Sequence, residues 1–341
     1  MLQVENQTPF AASLAVFPNP AGVETVYGAV KATFDFSSGG PRLASKQAPF
    51  LAADVYWGDP AATSLRAAGD VTLSKPATDV LLSGRAIAVS PVGQMDVDLR
   101  VGPVAKSLRV FGNRRWIRRG EDWAISDPEP FERMPLRWEL AFGGAGPIVE
   151  GQPLEHEPRN PVGRGFIASY DDQIADRPLP NLEDASQPIA APQDRPAPAC
   201  FAPVAPVWMP RRSYAGTYDE TWQRTRAPFL PQDFDPRYLN VAPDGLVAPG
   251  LLVGGEEVEI SGCTAGGPIR FRLPVATLAL QWDFDGRAID AAVRLETVLI
   301  EPDLARLQMT WRSELAVDKK LLRMRRMSVA CAEYPPQQEA A

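Results

Sequence analysis

Apolar and polar residues alternate between Val26 and Phe36. Val26, Gly28, Val30, Ala32, Phe34 and Phe36 fall on one side, and Tyr27, Ala29, Lys31, Thr33 and Asp35 on the other. A period of two predicts a half-buried β-strand. The cluster Ser37-Ser38-Gly39-Gly40-Pro41 then predicts a turn. Val71 to Val89 carries two short apolar runs split by Lys75-Pro76, Met95 to Val101 alternates again, and Ser107 to Phe111 resumes after Gly102-Pro103. Asp59 to Ala68 admits a helix. Met134 to Phe142 reads as one strand with Leu136, Trp138, Leu140 and Phe142 on one face, stopped by Gly143-Gly144. Three hairpins follow toward the C-terminus. Glu256 to Ile260 pairs with Ile269 to Leu273, Leu278 to Phe284 with Ala288 to Ala292 across Asp285-Gly286, and Val293 to Ile300 with Leu307 to Trp311 across Glu301-Pro302-Asp303. Asp-Gly between alternating runs is a strong two-residue turn signal.

These short strands and frequent turns predict a mainly β fold, with antiparallel sandwich-like sheets, long ordered loops and a few short helices. No clear flexible linker separates two cores before Pro178. One interlocked body over residues 1–334 is therefore expected: N-terminal strands 1–111, a loop-rich motif region 112–250 and C-terminal strands 251–334. The tail 335–341 should fray. Asp184 to Pro198 has few large apolar groups and reads as a mobile segment.

Composition adds limits. The 341 residues are 45% hydrophobic and 23% charged, an ordinary globular balance, and 35 prolines with 26 glycines favour strands and loops over helical bundles. A formal charge of −7 gives no overall bias toward nucleic acid or acidic membranes. No apolar run is long enough for membrane insertion. The N-terminus lacks a basic region and carries Glu5, so a cytoplasmic protein is expected. Cys200, Cys263 and Cys331 are widely spaced and read as isolated thiols.

The densest chemistry lies between Gly216 and Asn240. Tyr218, Trp222, Phe229, Phe234 and Tyr238 are interleaved with Arg224, Arg226 and Arg237 and with Asp219, Glu220, Asp233 and Asp235. Pro228, Pro231 and Pro236 forbid regular helix from Ala227 to Arg237. Only Asp219 to Thr225 is free to form a short helix, capped by Thr217 or Asp219. The remainder reads as an ordered loop, and its aromatic and arginine content is that of protein-interface hot spots. Trp208, Arg211, Tyr218, Asp219, Trp222, Arg226, Asp233 and Phe234 are the candidates for partner contact or for anchoring the loop. A carboxylate pair drawn from Asp219, Asp233 and Asp235 would instead serve a carbohydrate-active hydrolase. Arginine–carboxylate forks that order the loop account for the same residues.

The remaining signals are weaker. His156 is the only histidine and sits on an apparent loop, between Glu155 and Glu157, whose charges would favour its protonated form. It excludes any two-histidine metal motif. Asn160 to Phe166 (NPVGRGF) reads as a tight turn, or as a backbone nest for an anion beside Arg164. The basic run Lys319 to Arg326 places Leu322 and Met324 on one face and Arg323 and Arg325 on the other. It reads as a solvated strand face or a protected sheet edge rather than a nucleic-acid site. No metal or cofactor motif is present, and no catalytic residue is assigned.

Several motifs occur in order: KPATDVLLSG (Lys75 to Gly84), FGNRRW (Phe111 to Trp116), PFERMPLRWELAFGG (Pro130 to Gly144), NPVGRGF, LPNLED (Leu179 to Asp184) and the run from Trp208 to Asp235. As a set, reaching through Pro274, they closely resemble the bacterial family catalogued as domain of unknown function 2169. Asn113 departs from the aspartate usual there. The resemblance implies an adaptor or chaperone of type VI secretion. The implied partner is an effector with a PAAR-like domain, stabilised and loaded onto the VgrG spike. Lys75, Asp79, Arg114, Trp116, Asn160 and Arg164 are motif positions whose role, architecture or contact, the resemblance leaves open.

Overall fold

A computed structural model describes residues 2–37, 40–169 and 173–334. The tail 335–341 and Ser38-Gly39 of the expected turn lie outside the described residues. Among the described residues the chain is mainly β, with one short α-helix. The central sheet has six strands. Its main order is Ala11–Pro18, Glu24–Asp35, Arg306–Ala316, Arg294–Glu301 and Asp79–Leu82, with Arg42–Leu43 also paired to Glu24–Asp35. The last two in that order run parallel, and the other pairs antiparallel.

Glu24–Asp35 is the alternating strand of the sequence, but it is buried on both faces rather than half-buried. Its apolar side lies against a second, four-stranded sheet of Gln3–Asn6, Met324–Cys331, Leu278–Phe284 and Arg287–Ala291. The sheets approach closely: a Cβ on Gly28 would lie 2.4 Å from Met327 Sδ and 2.9 Å from the Trp282 ring. The other side is polar and is roofed by the chain between 44 and 75. The Gln47 side chain accepts from Thr33 N at 2.8 Å and donates to Thr33 O at 3.0 Å, and Lys31 pairs with Asp70 at 2.8 Å. Lys31 and Thr33 survive burial here because they find partners, whereas the buried Tyr27 hydroxyl on the same side has none among the described residues.

A third, five-stranded antiparallel sheet runs Leu182–Asp184, Val104–Phe111, Gln94–Val101, Glu257–Ser261 and Ile269–Arg272. Phe271 stacks on Phe36 at 5.1 Å and ties this sheet to the central one. N-terminal and C-terminal strands pair in all three large sheets.

The three hairpins form. Asp285 and Gly286 take φ of 53° and 76°, the left-handed pair that such a turn needs. Besides the burial of Glu24–Asp35, four further expectations need correction. Asp59 to Ala68 holds a turn and the short strand Leu65–Ala67, not a helix. Met134 to Phe142 is broken into Phe131–Pro135, a 3₁₀ turn Trp138–Leu140 and Phe142–Gly143, because Asn160 Nδ2 takes the carbonyls of Trp138 and Phe142 out of any ladder. Of the two readings of the basic run, the solvated strand face holds and the sheet edge does not, and its expected phase is wrong. A 3₁₀ turn at Leu321–Arg323 resets its phase, so Leu322 is 99% exposed while Met324 is buried in an interior strand, with Arg325 and Arg326 on its solvated face. The segment expected to be mobile, 184–198, packs Ile189 into a small second core with Trp116, Phe142, Ile167 and Leu179, and Asp194 accepts from Ala190 N and Ala191 N.

Candidate functional site

The loop from Gly216 to Asn240 projects a mostly exposed surface from a buried root. Its helix spans Glu220–Thr225, capped by Asp219, whose Oδ1 accepts from Trp222 N at 2.8 Å. No residue of this helix is buried. Trp222 is half-buried. Its Nε1 donates to Phe229 O at 2.8 Å, and its ring meets the exposed Tyr218 edge-on at 4.7 Å. Arg226 closes the turn by donating to Leu230 O and reaches Pro20 O at 2.7 Å. Pro20 belongs to the hairpin joining Ala11–Pro18 to Glu24–Asp35, and there the Phe229 ring covers Gly22. Gly22 has φ of +85°, and a Cβ on it would touch that ring at 3.4 Å. Phe229 and Phe17 therefore share one partly exposed apolar surface, with Leu322 at its margin.

The carboxylates are committed to loop structure. Asp233 accepts from Thr217 N at 2.9 Å and Thr217 Oγ1 at 2.7 Å, which holds its carboxyl below the usual range. Asp235 takes the Arg237 guanidinium and backbone N–H, with the same effect on its acidity. A general acid needs the opposite shift. Phe234 packs edge-on against Tyr238 at 5.8 Å.

The root of the loop is buried. Trp208 is 4% exposed and meets Trp138 edge-on. Arg211 donates to Tyr238 O and Val204 O, both at 2.9 Å, and lies over the Tyr238 ring. Desolvation lowers its pKa. At the far end Asp79, fully buried, accepts from Asn240 Nδ2, Val241 N and Ala242 N while its Oδ2 pairs with Lys75 at 2.7 Å. The motif around Lys75 and Asp79 and the end of the central loop thus meet in one buried cluster.

The other motif positions are architectural. Arg114 is buried against Glu183, donates to Pro180 O and lies over the Phe111 ring at 3.5 Å, while Trp116 fills the second core. Arg164 donates to Glu139 O and Asn181 Oδ1. The NPVGRGF segment is a tight turn: Gly165 has φ of +92°, and a Cβ there would come to 2.6 Å of Pro180 Cδ. Asn113 donates to Glu129 Oε2 at 2.9 Å, a bond that an ionised aspartate could not make. His156 is exposed, with Glu155 bonded to Ser169 and Glu157 paired with Arg159. All three cysteines are free thiols.

Sequence reasoning missed two features. One is the open edge strand Ala11–Pro18, which pairs on one side only and carries no charge. The other is the buried pair Glu296–Arg312 at 2.8 Å, placed by a bulge after Leu295. The absence of charge from Ala11 to Pro18 was a visible signal; the bulge had none.

Fold and site define a mainly β protein that clamps an exposed aromatic loop onto the tip of a central hairpin. The chain belongs to the family described as an uncharacterized protein conserved in bacteria, DUF2169, whose model matches residues 21–312. That match runs further into the C-terminal strands than the motif set does. Neither the curated proteins nor the solved structures give a match. No helix among the described residues is long and apolar enough to cross a membrane.

Proposed function

We propose that the protein is a non-enzymatic adaptor of type VI secretion that acts in the cytoplasm. It binds an effector carrying a PAAR-like domain, stabilises it and promotes its loading onto the VgrG spike. The family resemblance supplies the partner class. The observation that carries a binding role is the surface formed by Tyr218, Trp222, Phe229 and Phe17 beside the uncharged edge Ala11–Pro18. Folded proteins ordinarily blunt such edges with charge, proline within the strand or bulges. Here proline stands only at the last position, Pro18. Aromatic and arginine side chains on a rigid base dominate protein interfaces, and a base of this kind exists in Arg211, Asp79 and Trp208. The hydrolase reading lacks comparable support, because Asp219, Asp233 and Asp235 are each engaged in capping or bracing the loop.

An adaptor that binds only the folded client stabilises it by mass action, about 2.7 kcal/mol at a hundredfold excess over Kd. Co-expression should therefore raise the soluble yield and half-life of the client. Deleting the adaptor gene should lower client abundance and secretion. Unchanged client levels and secretion in the deletion strain would contradict the proposal.

A further inference from the structure

The polar face of the central sheet is not filled by its roof. A cleft of about 300 Å³ lies between that face and the chain from 48 to 72, at the small end of the ~300–1,000 Å³ typical of ligand pockets. Its floor follows from strand register. Lys31, Thr310, Thr297 and Asp79 lie in one row across four adjacent strands, and side chains so paired point to the same face.

Donors outnumber partners on this floor. An ammonium carries three N–H donors. Lys31 donates to Asp70 and Pro49 O, and Lys75 to Asp79 and Thr297 Oγ1, which leaves one donor on each. Arg312 uses Nε on Glu296 and Nη2 on Asp70 O, leaving Nη1 without a partner among the described residues. Thr310 is 6% exposed, lines the cleft, and has no hydrogen-bond partner for its hydroxyl among the described residues.

Charge narrows the class further. Lys31–Asp70, Lys75–Asp79, Arg306–Glu301 and Arg312–Glu296 form four pairs that cancel. Arg66 remains at the cleft, stacked on Trp57 with no carboxylate partner among the described residues. Leu51 and Val55 give the roof an apolar patch beside Arg66, Asp70 and Thr72, and Leu299 adds hydrocarbon to the floor. Arg66 is exposed at the cleft mouth, so an occupant that complements the cleft brings acceptors to the floor, a negative charge toward that guanidinium and hydrocarbon to the apolar lining.

We infer that this cleft is a binding site for a small monocarboxylate with a compact apolar body. The inference stands apart from the adaptor reading, since it needs no client. The test is isothermal titration of the full chain with sodium hexanoate, benzoate, succinate and inorganic phosphate, repeated on Thr310→Val and Arg66→Gln. Neither residue braces the fold through an ion pair, so both variants should melt close to the parent, which thermal scanning checks.

Hexanoate or benzoate should bind saturably at one site, with succinate and phosphate weaker. Each variant should weaken binding by about 2–10-fold, the range expected for one hydrogen bond. Absence of saturable binding by either monocarboxylate would overturn the inference. So would equal binding of phosphate, or affinity unchanged in both variants.

Discussion

Asp79 Oδ1 accepts a hydrogen bond from Asn240 Nδ2 at 2.9 Å, joining residues 161 positions apart. The same carboxylate holds Lys75 and the backbone N–H groups of Val241 and Ala242. One buried charge thereby fixes an edge of the central sheet and the end of the exposed loop. Asp79→Ala should cost about 3–5 kcal/mol, because it strands a buried ammonium. Denaturant unfolding measures this, and a loss below about 1 kcal/mol, the worth of a surface pair, would show the cluster to be dispensable.

Trp222 and Trp208 should behave differently. Trp208 is buried, so Trp208→Ala should lose about 3–5 kcal/mol. Trp222 is half-buried on a helix without a core face. Trp222→Ala should lose about 0.5–1.5 kcal/mol, the worth of its hydrogen bond to Phe229 O, and should lose client binding. Thermal melts set beside client pulldowns separate the two roles.

Gly28 is required by the closeness of the sheets. Its neighbours Met327 and Trp282 are fully buried, so Gly28→Ala should overpack the interface and cost about 1–3 kcal/mol. A thermal melt unchanged from the parent would show that the sheets can part without penalty.

Burial pushes the Cys200 and Cys263 thiols up to about 12, from an unfolded value near 8.5. The folded state keeps a proton that the unfolded state loses. Their contribution to stability is complete below about pH 8.5 and falls as pH rises toward 12. At neutral pH the half-buried Cys331 should alkylate first, and the other two only after denaturation. Mass spectrometry of alkylated protein checks the order.

Much of the fold was legible from alternation and turns. The C-terminal hairpins and the Asp219-capped helix follow from local chemistry that tertiary contacts did not override. Glu24–Asp35 shows the limit: period two reported that its faces differ, but a polar face under a roof of loops has the same pattern as a polar face in water. Met134 to Phe142 failed for a related reason, since Asn160 captures its carbonyls from a distant segment. The candidate residues of the central loop were found by composition. Their division into buried root and exposed tip needed distant partners, Trp138 and Asp79 at the root and the hairpin at Pro20 and Gly22 beneath the tip, which the loop's own sequence does not show.

Adaptor function can be tested by pulling down the tagged protein from its native bacterium, with the secretion system expressed, and identifying co-purifying proteins by mass spectrometry. An effector with a PAAR-like domain should be recovered, with or without VgrG, and should be lost from a Tyr218→Ala, Trp222→Ala variant that still folds. Recovery of no such effector, or undiminished recovery by that variant, would contradict it.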